Sequence, residues 1–469
     1  MRGHSLSRRL AAPLIGAILN VCGIAPGAAQ SLSGFGSVTL NAETSPTAAR
    51  IADLDGDNLN DIGVVNLQGS LQLFFNAGGG SFQRVSLNSL WPSGTQTLDL
   101  AIGDLNGDGK NDIAVANSGA VSVLFNLGNR TFSAPVNYSV CAGATSVAIG
   151  DLNRDGKNDI VATGGCSKVA VLLNTGGGGF ALNGLYGSGS GMRSLVLTDF
   201  NVDGLMDIVF LNSVSNGLVT ILAQQPNGTF ADNASFLATN GGFPSDMSMG
   251  DFDRDGTPDP VISDGIGSAI LVFLNGVSTF KTYFELEEME DPTGVTVGDF
   301  NADGLLDIAY GSFRFGLVKF LLNRGIMLSQ TNYLFTEFIN RPVGAVAHAV
   351  TAGRLDGDLA ADLVTVNRDA GSITVLLSTR PEDLPPPQPV RISLTVSSRK
   401  SGSSRIVDVV WAGATTSTVD IFRNGSLLVT APNSGSYKET FATSVKGTLT
   451  YKVCNSGGGP CSNEVSIKL

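Results

Sequence analysis

A nine-residue pattern, Asp-x-Asn/Asp-x-Asp-Gly-x-x-Asp, set between two apolar runs, recurs along this chain and constrains its fold more than any other feature. The best-formed copy is Asp104-Leu105-Asn106-Gly107-Asp108-Gly109-Lys110-Asn111-Asp112. Copies begin at Asp53, Asp104, Asp151, Asp199, Asp251, Asp299 and, degenerately, Arg354, at spacings of 51, 47, 48, 52, 48 and 55 residues. Self-similarity at this period marks repeated units, either propeller blades or solenoid coils, because one such unit cannot bury its apolar face alone.

Oxygen-bearing side chains at positions 1, 3 and 5 can converge on one hard cation, and glycine at position 6 permits the positive φ of a tight turn. The aspartate at position 9 opens the next apolar run and pins the far end of the loop. The candidate metal ligands are Asp53, Asp55, Asp57 and Asp61; Asp104, Asn106, Asp108 and Asp112; Asp151, Asn153, Asp155 and Asp159; Asp199, Asn201, Asp203 and Asp207; Asp251, Asp253, Asp255 and Asp259; and Asp299, Asn301, Asp303 and Asp307. An oxygen set of this size favours calcium (Ca2+) over magnesium, which keeps more of its water, and the lack of Cys or His in the loops argues against zinc. An EF-hand would need flanking helices and a glutamate at position 12, where the second copy has Val115 inside a strand run.

Two copies depart from the pattern. Asn58 replaces the glycine of the first loop, and Asn tolerates the left-handed region. In the seventh, Arg354 replaces the first aspartate and Leu359 the glycine. The seventh site, at Asp356, Asp358 and Asp362, is therefore expected to be empty or weak, with Arg354 pairing with those carboxylates in place of a cation. About six calcium sites are expected in all.

Each period reads as four strands. One enters the loop, a second leaves it (Asp112 to Ala116, Asp159 to Thr163), a third follows a short turn (Val121 to Asn126, Ala269 to Asn275), and a fourth follows a glycine-rich turn and is headed by an aromatic residue, as in Gly128-Asn129-Arg130-Thr131-Phe132. The seventh period stops after its third strand, Ser372 to Ser378, while an isolated fourth-type strand, Gly34 to Leu40, precedes the first loop. Donating that strand to the last unit would close a ring and remove exposed edges. The predicted fold is all-β: a seven-bladed β-propeller over residues 31–380, closed by an N-terminal strand. A stiff Pro-rich linker follows at 381–390. A small Ig/fibronectin III-like β-sandwich is expected at 391–469, with Asn424-Gly425 as a hairpin turn.

Residues 1–29 read as a secretory signal peptide: Arg2, Arg8 and Arg9, then the largely apolar Leu10 to Ala25, then small residues before Gln30. The expected location is secreted or extracellular, at the cell surface or in the periplasm, and no stretch is long and apolar enough for a membrane span. The formal charge is −12, and 23 of the 41 acidic residues lie in the seven loops. Nothing resembles a basic patch, so nucleic acid is excluded as a partner. Beyond the signal, Cys141, Cys166, Cys454 and Cys461 form an even set, which in an exported chain favours two disulfides. Strand alternation puts Cys141 and Cys166 on one rim of the same unit.

The loops resemble the calcium loops of the FG-GAP and VCBS repeat families, which include the integrin α-subunit propeller. Phe35-Gly36 and Ser133-Ala134-Pro135 echo the elements that give the first family its name. The resemblance implies an extracellular calcium-binding propeller and no particular activity. The C-terminal stretch resembles bacterial fibronectin type III domains through Trp411, Phe422-Arg423-Asn424-Gly425 and Tyr451-Lys452-Val453-Cys454, in which Cys454 and Cys461 would clip the final turn.

The rim away from the carboxylate loops carries Trp91, Arg193, Phe243 and Phe313-Arg314-Phe315. It is the expected place for an extracellular glycan or protein ligand. Catalytic chemistry is poorly supported: the two histidines are His4, in the signal, and His348, expected to pack or to line a channel, and no nucleophile elbow or phosphate loop stands out. The expected function is a secreted, calcium-stabilised recognition or adhesion scaffold. The alternative is an extracellular carbohydrate-active enzyme, a polysaccharide lyase or glycoside hydrolase, on a calcium propeller.

Overall fold

The computed structural model describes residues 35–140, 143–187, 189, 191–212, 217–237, 243–276, 282–286, 291–325, 335–344, 346–378, 393–412, 418–432, 434–455, 462 and 464–469. The expected signal peptide, the Pro-rich linker, Cys141 and Cys461 lie outside these residues.

Among the described residues, seven four-stranded antiparallel sheets occupy the span from Phe35 to Ser378. In the first, Pro46–Ala52 enters a carboxylate loop, Asp61–Asn66 leaves it, and Ser70–Asn76 and Phe82–Leu87 complete the sheet. The next five repeat this order, with first strands Thr97–Gly103, Ala144–Gly150, Met192–Thr198, Pro244–Gly250 and Pro292–Gly298. The seventh contains Ala349–Gly353, Asp362–Asn367 and Ser372–Ser378, and its fourth strand is Phe35–Asn41, running antiparallel from Phe35 opposite Ser378 to Asn41 opposite Ser372.

The burial pattern explains why these sequences form this arrangement. Second strands are buried along their whole length in all seven sheets, as in Asp61–Asn66 and Asp207–Asn212. A strand covered on both faces needs a continuous apolar run instead of an alternating one. Outer strands such as Phe82–Leu87 alternate between partly buried and exposed. First strands pack against the first strands of both neighbouring sheets, and Ala349–Gly353 returns to pack on Pro46–Ala52, so the seven form a closed circle. Seven apolar clusters sit between neighbouring sheets. One joins Leu73 and Phe75 to Leu100 and Ile113, and another joins Ile373 and Val375 of the last sheet to Ile62 and Phe74 of the first.

The second sheet corrects the expected strand assignment. Thr131–Phe132 forms a short hairpin with Asn126–Gly128, and the fourth strand is Val136–Tyr138. Asn129 and Arg130 sit at φ 52° and 60°, which suits a tight two-residue turn, and Pro135 has no N–H to continue the ladder. Trp91 also departs from its expected rim position. It is buried between the first two sheets, with its indole N–H donated to Ser122 Oγ at 2.8 Å.

Residues 393–469 contribute a three-stranded sheet (Ser393–Ser401, Ser404–Ala412, Ser436–Ala442) and a four-stranded sheet (Ser426–Pro432, Thr418–Arg423, Thr448–Asn455, Val465–Lys468). The two share one core built on Val407, Val409, Trp411, Ile421, Tyr451 and Val453. Asn424 and Gly425 form the tight turn, at φ 50° and 81°. No helix among the described residues is long and apolar enough to cross a membrane.

Candidate metal centres and the axial cavity

The position-9 aspartate is the fixed point of every loop. Asp61 is fully buried; its Oδ2 accepts the N–H of Leu54 at 2.8 Å and its Oδ1 the N–H of Asn76 at 2.7 Å. One carboxylate thus ties position 2 of the loop to the end of the third strand. The same two bonds recur at Asp112, Asp159, Asp207, Asp259, Asp307 and Asp362.

The position-1 aspartate gathers the loop backbone. Asp251 accepts the N–H groups of Asp255 and Gly256, each at 3.0 Å, and Asp299 accepts those of Asp303 and Gly304 at 3.0 and 2.8 Å. Gly256 and Gly304 have φ of 86° and 81°, and Asn58 takes the equivalent turn at 68°. Position 5 accepts the N–H two residues on, as Asp203 does from Leu205 at 2.8 Å. Position 3 does likewise through Asn106, Asn153, Asn201 and Asn301.

In two loops, three carboxylates converge. Asp53, Asp55 and Asp61 bring one oxygen each to within 4.8 Å of one another, and so do Asp251, Asp253 and Asp259. Oxygens sharing one calcium-sized ion at roughly 2.4 Å cannot be much farther apart than this, so both triads fit a hard divalent cation. They join positions 1, 3 and 9; Asp57 and Asp255, at position 5, lie outside them. Loops with Asn at position 3 offer an amide oxygen there in place of a carboxylate.

Burial first, and crowding of like charge second, act on the position-9 carboxyl. Burial, with Asp55 and Asp57 nearby, pushes Asp61 up to about 6. Burial with Asp253 and Asp251 nearby pushes Asp259 to about 7, and burial with Asp303 and Asp299 nearby pushes Asp307 to about 8. Asp112, Asp159 and Asp207 shift upward for the same primary reason, burial. A cation in the loop would oppose each of these shifts.

Asp55 has a partner that the sequence did not reveal. Arg130, from the short hairpin of the second sheet, reaches it at 2.7 Å while its guanidinium stacks 4.7 Å from the Phe75 ring centroid. Arg354, by contrast, forms no ion pair with Asp356, Asp358 or Asp362 among the described residues, contrary to expectation; burial pushes Asp362 to about 7.

A second set of residues was also missed. In each of the first six sheets an Asn or Gln at or near the end of the third strand donates its side-chain amide to the preceding sheet's loop. Asn126 reaches the Leu54 carbonyl at 2.7 Å, Asn174 that of Leu105 at 2.9 Å, and Asn275 that of Phe200 at 2.9 Å. Asn76, Gln224 and Asn323 do the same to Leu355, Leu152 and Phe252. The signal was present: an amide residue recurs 14 to 17 positions after the position-9 aspartate.

The first strands enclose an axial cavity of about 490 Å³. Asp99 accepts from Arg50 at 2.7 Å and Ser146 Oγ at 2.7 Å. Asp246 accepts the N–H groups of Met247 and Val295, and its enclosed position pushes the carboxyl above the usual range. His348 lines the cavity and packs edge-on against Phe313 at 5.8 Å. Phe243, Phe313 and Phe315 are exposed by 42%, 49% and 56%, unlike Trp91.

No curated protein matches the chain in sequence. Solved structures of the same fold are numerous (363 chains), so fold alone narrows activity little. A chain in the crystal structure of BBS1N in complex with ARL6DN, soaked with lead, matches at a TM-score of 0.51 and 12% identity, over 73% of this chain and 97% of that one. The mercury-soaked counterpart matches at 0.51 and 11%, over 74% and 96%. The FG-GAP-like repeat family matches at residues 53–115, 104–162, 151–210 and 199–262, each match running from one carboxylate loop into the strand that follows the next, so the chain carries FG-GAP-like repeats in a propeller-like all-β fold.

Proposed function

We propose that the chain is a secreted, calcium-stabilised recognition scaffold: a seven-bladed β-propeller over 31–380, the Pro-rich linker 381–390, and a fibronectin III-like sandwich over 391–469. One observation carries this reading. The loop carboxylates tie the loop and strands of their own sheet together, whereas exposed Phe243, Phe313 and Phe315 sit in connections away from those loops. Ions held there strengthen the ring and leave the other rim for a ligand.

The closed circle of first strands and the strand exchange at Phe35–Asn41 support seven blades. The Asp53 and Asp251 triads and the FG-GAP-like repeats support calcium at the six well-formed loops, with the seventh weak. The even cysteine set, with Cys166 and Cys454 each engaged by a partner, supports disulfides to Cys141 and Cys461. The Arg-rich, then apolar, start of the chain supports export. A structure of similar fold holds BBS1N in complex with ARL6DN, and a partner-binding role here is in keeping with that. The enzyme alternative lacks a comparable observation, since Asp99 and Asp246 of the axial cavity are both engaged by backbone N–H groups.

The experiment is a screen of the calcium-loaded protein on glycan and extracellular-protein arrays, alongside polysaccharide cleavage assays. Saturable binding without turnover is the expected result. Cleavage, or no binding to any surface, would overturn the reading.

A further inference from the structure

The geometry points to the axial cavity as a binding site for a neutral saccharide, entered from the rim that carries Phe313. This rests on the recognition reading above and names its ligand and its place.

The first strands line the cavity in register. Three residues ahead of each loop's first position stand Arg50, Ser248, Thr296 and Thr351 on four successive sheets, counting from the fifth through the seventh to the first. Across the ring the same register holds Ala101, Ala148 and Val196. The hydroxyls of Ser248, Thr296 and Thr351 make no intramolecular hydrogen bond among the described residues, although all three side chains are only partly exposed. A row of unengaged hydroxyls facing an enclosed space is a set of donors and acceptors that a ligand can satisfy.

Six positions ahead of the loops, the same cavity receives Arg193 and His348. Arg193 is exposed and has no ion pair among the described residues. Phe313, half exposed and steadied edge-on by His348, stands at the lip as an apolar platform.

Charge selects the ligand class. Arg50 is already neutralised by Asp99 at 2.7 Å, and Asp246 adds a second carboxyl, so a polyanion would meet acid as well as base. Arg193, with no ion pair among the described residues, disfavours a cation. The wall is too polar for an apolar ligand, with hydroxyls and charged groups on most of its strands. A sugar satisfies all of these features. Its hydroxyls accept from guanidinium and exchange hydrogen bonds with Ser and Thr, while its C–H face lies on the Phe313 ring. The volume of about 490 Å³ falls in the range of ligand pockets, roughly 300–1,000 Å³, and suits the end of a short oligosaccharide chain.

The test is titration of the calcium-loaded full chain with a panel of neutral hexose and N-acetylhexosamine oligosaccharides, beside sulfated and uronic acid counterparts. Binding of a neutral sugar is expected. Arg193→Ala and Phe313→Ala, both at exposed positions, should each weaken it at least about tenfold with unchanged melting temperature. The Ser248→Ala, Thr296→Val pair should weaken it without altering the fold. Leu182→Ala, exposed on an outer strand and outside the cavity, should leave it unchanged. Binding confined to acidic glycans would overturn the proposal, as would neutral-sugar binding that ignores Arg193→Ala and Phe313→Ala. If the arrays find a protein ligand and no sugar, the cavity proposal fails and the scaffold reading stands. If neither sugar nor protein binds, both fail.

Discussion

The side-chain amide of Asn126, just past the third strand of its sheet, donates to the carbonyl of Leu54 in the carboxylate loop of the preceding sheet, at 2.7 Å. The backbone N–H of the same Asn126 is held by Asp112 Oδ1, so one residue joins its own loop to its neighbour's. Asn126→Ala would strand the buried Leu54 carbonyl and cost about 1–3 kcal/mol. Chemical denaturation should show this as a lower midpoint at unchanged slope. A cost indistinguishable from zero would mean that water replaces the amide.

Removing divalent ions should lower the melting temperature reversibly. Each occupied site adds about 2.7 kcal/mol when free calcium is a hundredfold above its Kd. Replacing Asp251 and Asp253 by Asn should shrink the calcium-dependent gain, because it takes two of three carboxylates from one triad. Thermal scans in chelator and in calcium, for both proteins, measure the difference. Identical curves would show that the loops hold their shape without metal.

In chelator, stability should fall as pH rises from about 4 to 8. Asp61, Asp259 and Asp307 lie at about 6, 7 and 8 in the folded chain, above their unfolded value. Such groups favour folding fully below the unfolded value, where both states carry the proton, and that contribution is lost as pH passes the folded value. For Asp61 alone this is on the order of 3 kcal/mol. Calcium should flatten the profile by holding the carboxylates ionised. A metal-free protein that gains stability across this window would contradict the prediction.

Arg130→Gln should act in opposite directions with and without metal. Arg130 offsets the charge of Asp55, so its loss should destabilise the chelated protein by on the order of 1 kcal/mol, its side chain being about a third exposed. The same change removes a competing cation from the first triad and should raise that loop's calcium affinity. Calcium titration of a protein with the other five well-formed loops neutralised isolates the effect. Weaker calcium binding by the variant would reverse this assignment.

Much of this was legible in the residues. The period set the number of sheets, because one loop opens each second strand, and the missing fourth strand after Ser378 predicted the partner of Phe35–Asn41. Alternation and turn chemistry also located the Asn424-Gly425 hairpin. What stayed hidden was side-chain direction across sheets. Asn126 reads as the polar end of a strand until a neighbouring carbonyl is placed 2.7 Å away. Arg130 reads as a turn residue until its left-handed φ aims it at Asp55. Trp91 looked like a surface aromatic because nothing in the sequence shows that Ser122 lies under its indole nitrogen.

Phe35–Asn41 pairs with a strand that lies more than 300 residues further along, as Thr39 and Thr374 do. During synthesis the earlier segment has no mate until Ser372–Ser378 has emerged, by which time six complete sheets can already stand side by side. Circularisation can therefore follow only once Ser372–Ser378 is made, and it closes a loop of more than 300 residues. A nascent chain halted before Ser372 would be a row of sheets with two sticky ends, prone to meet another chain's ends before its own.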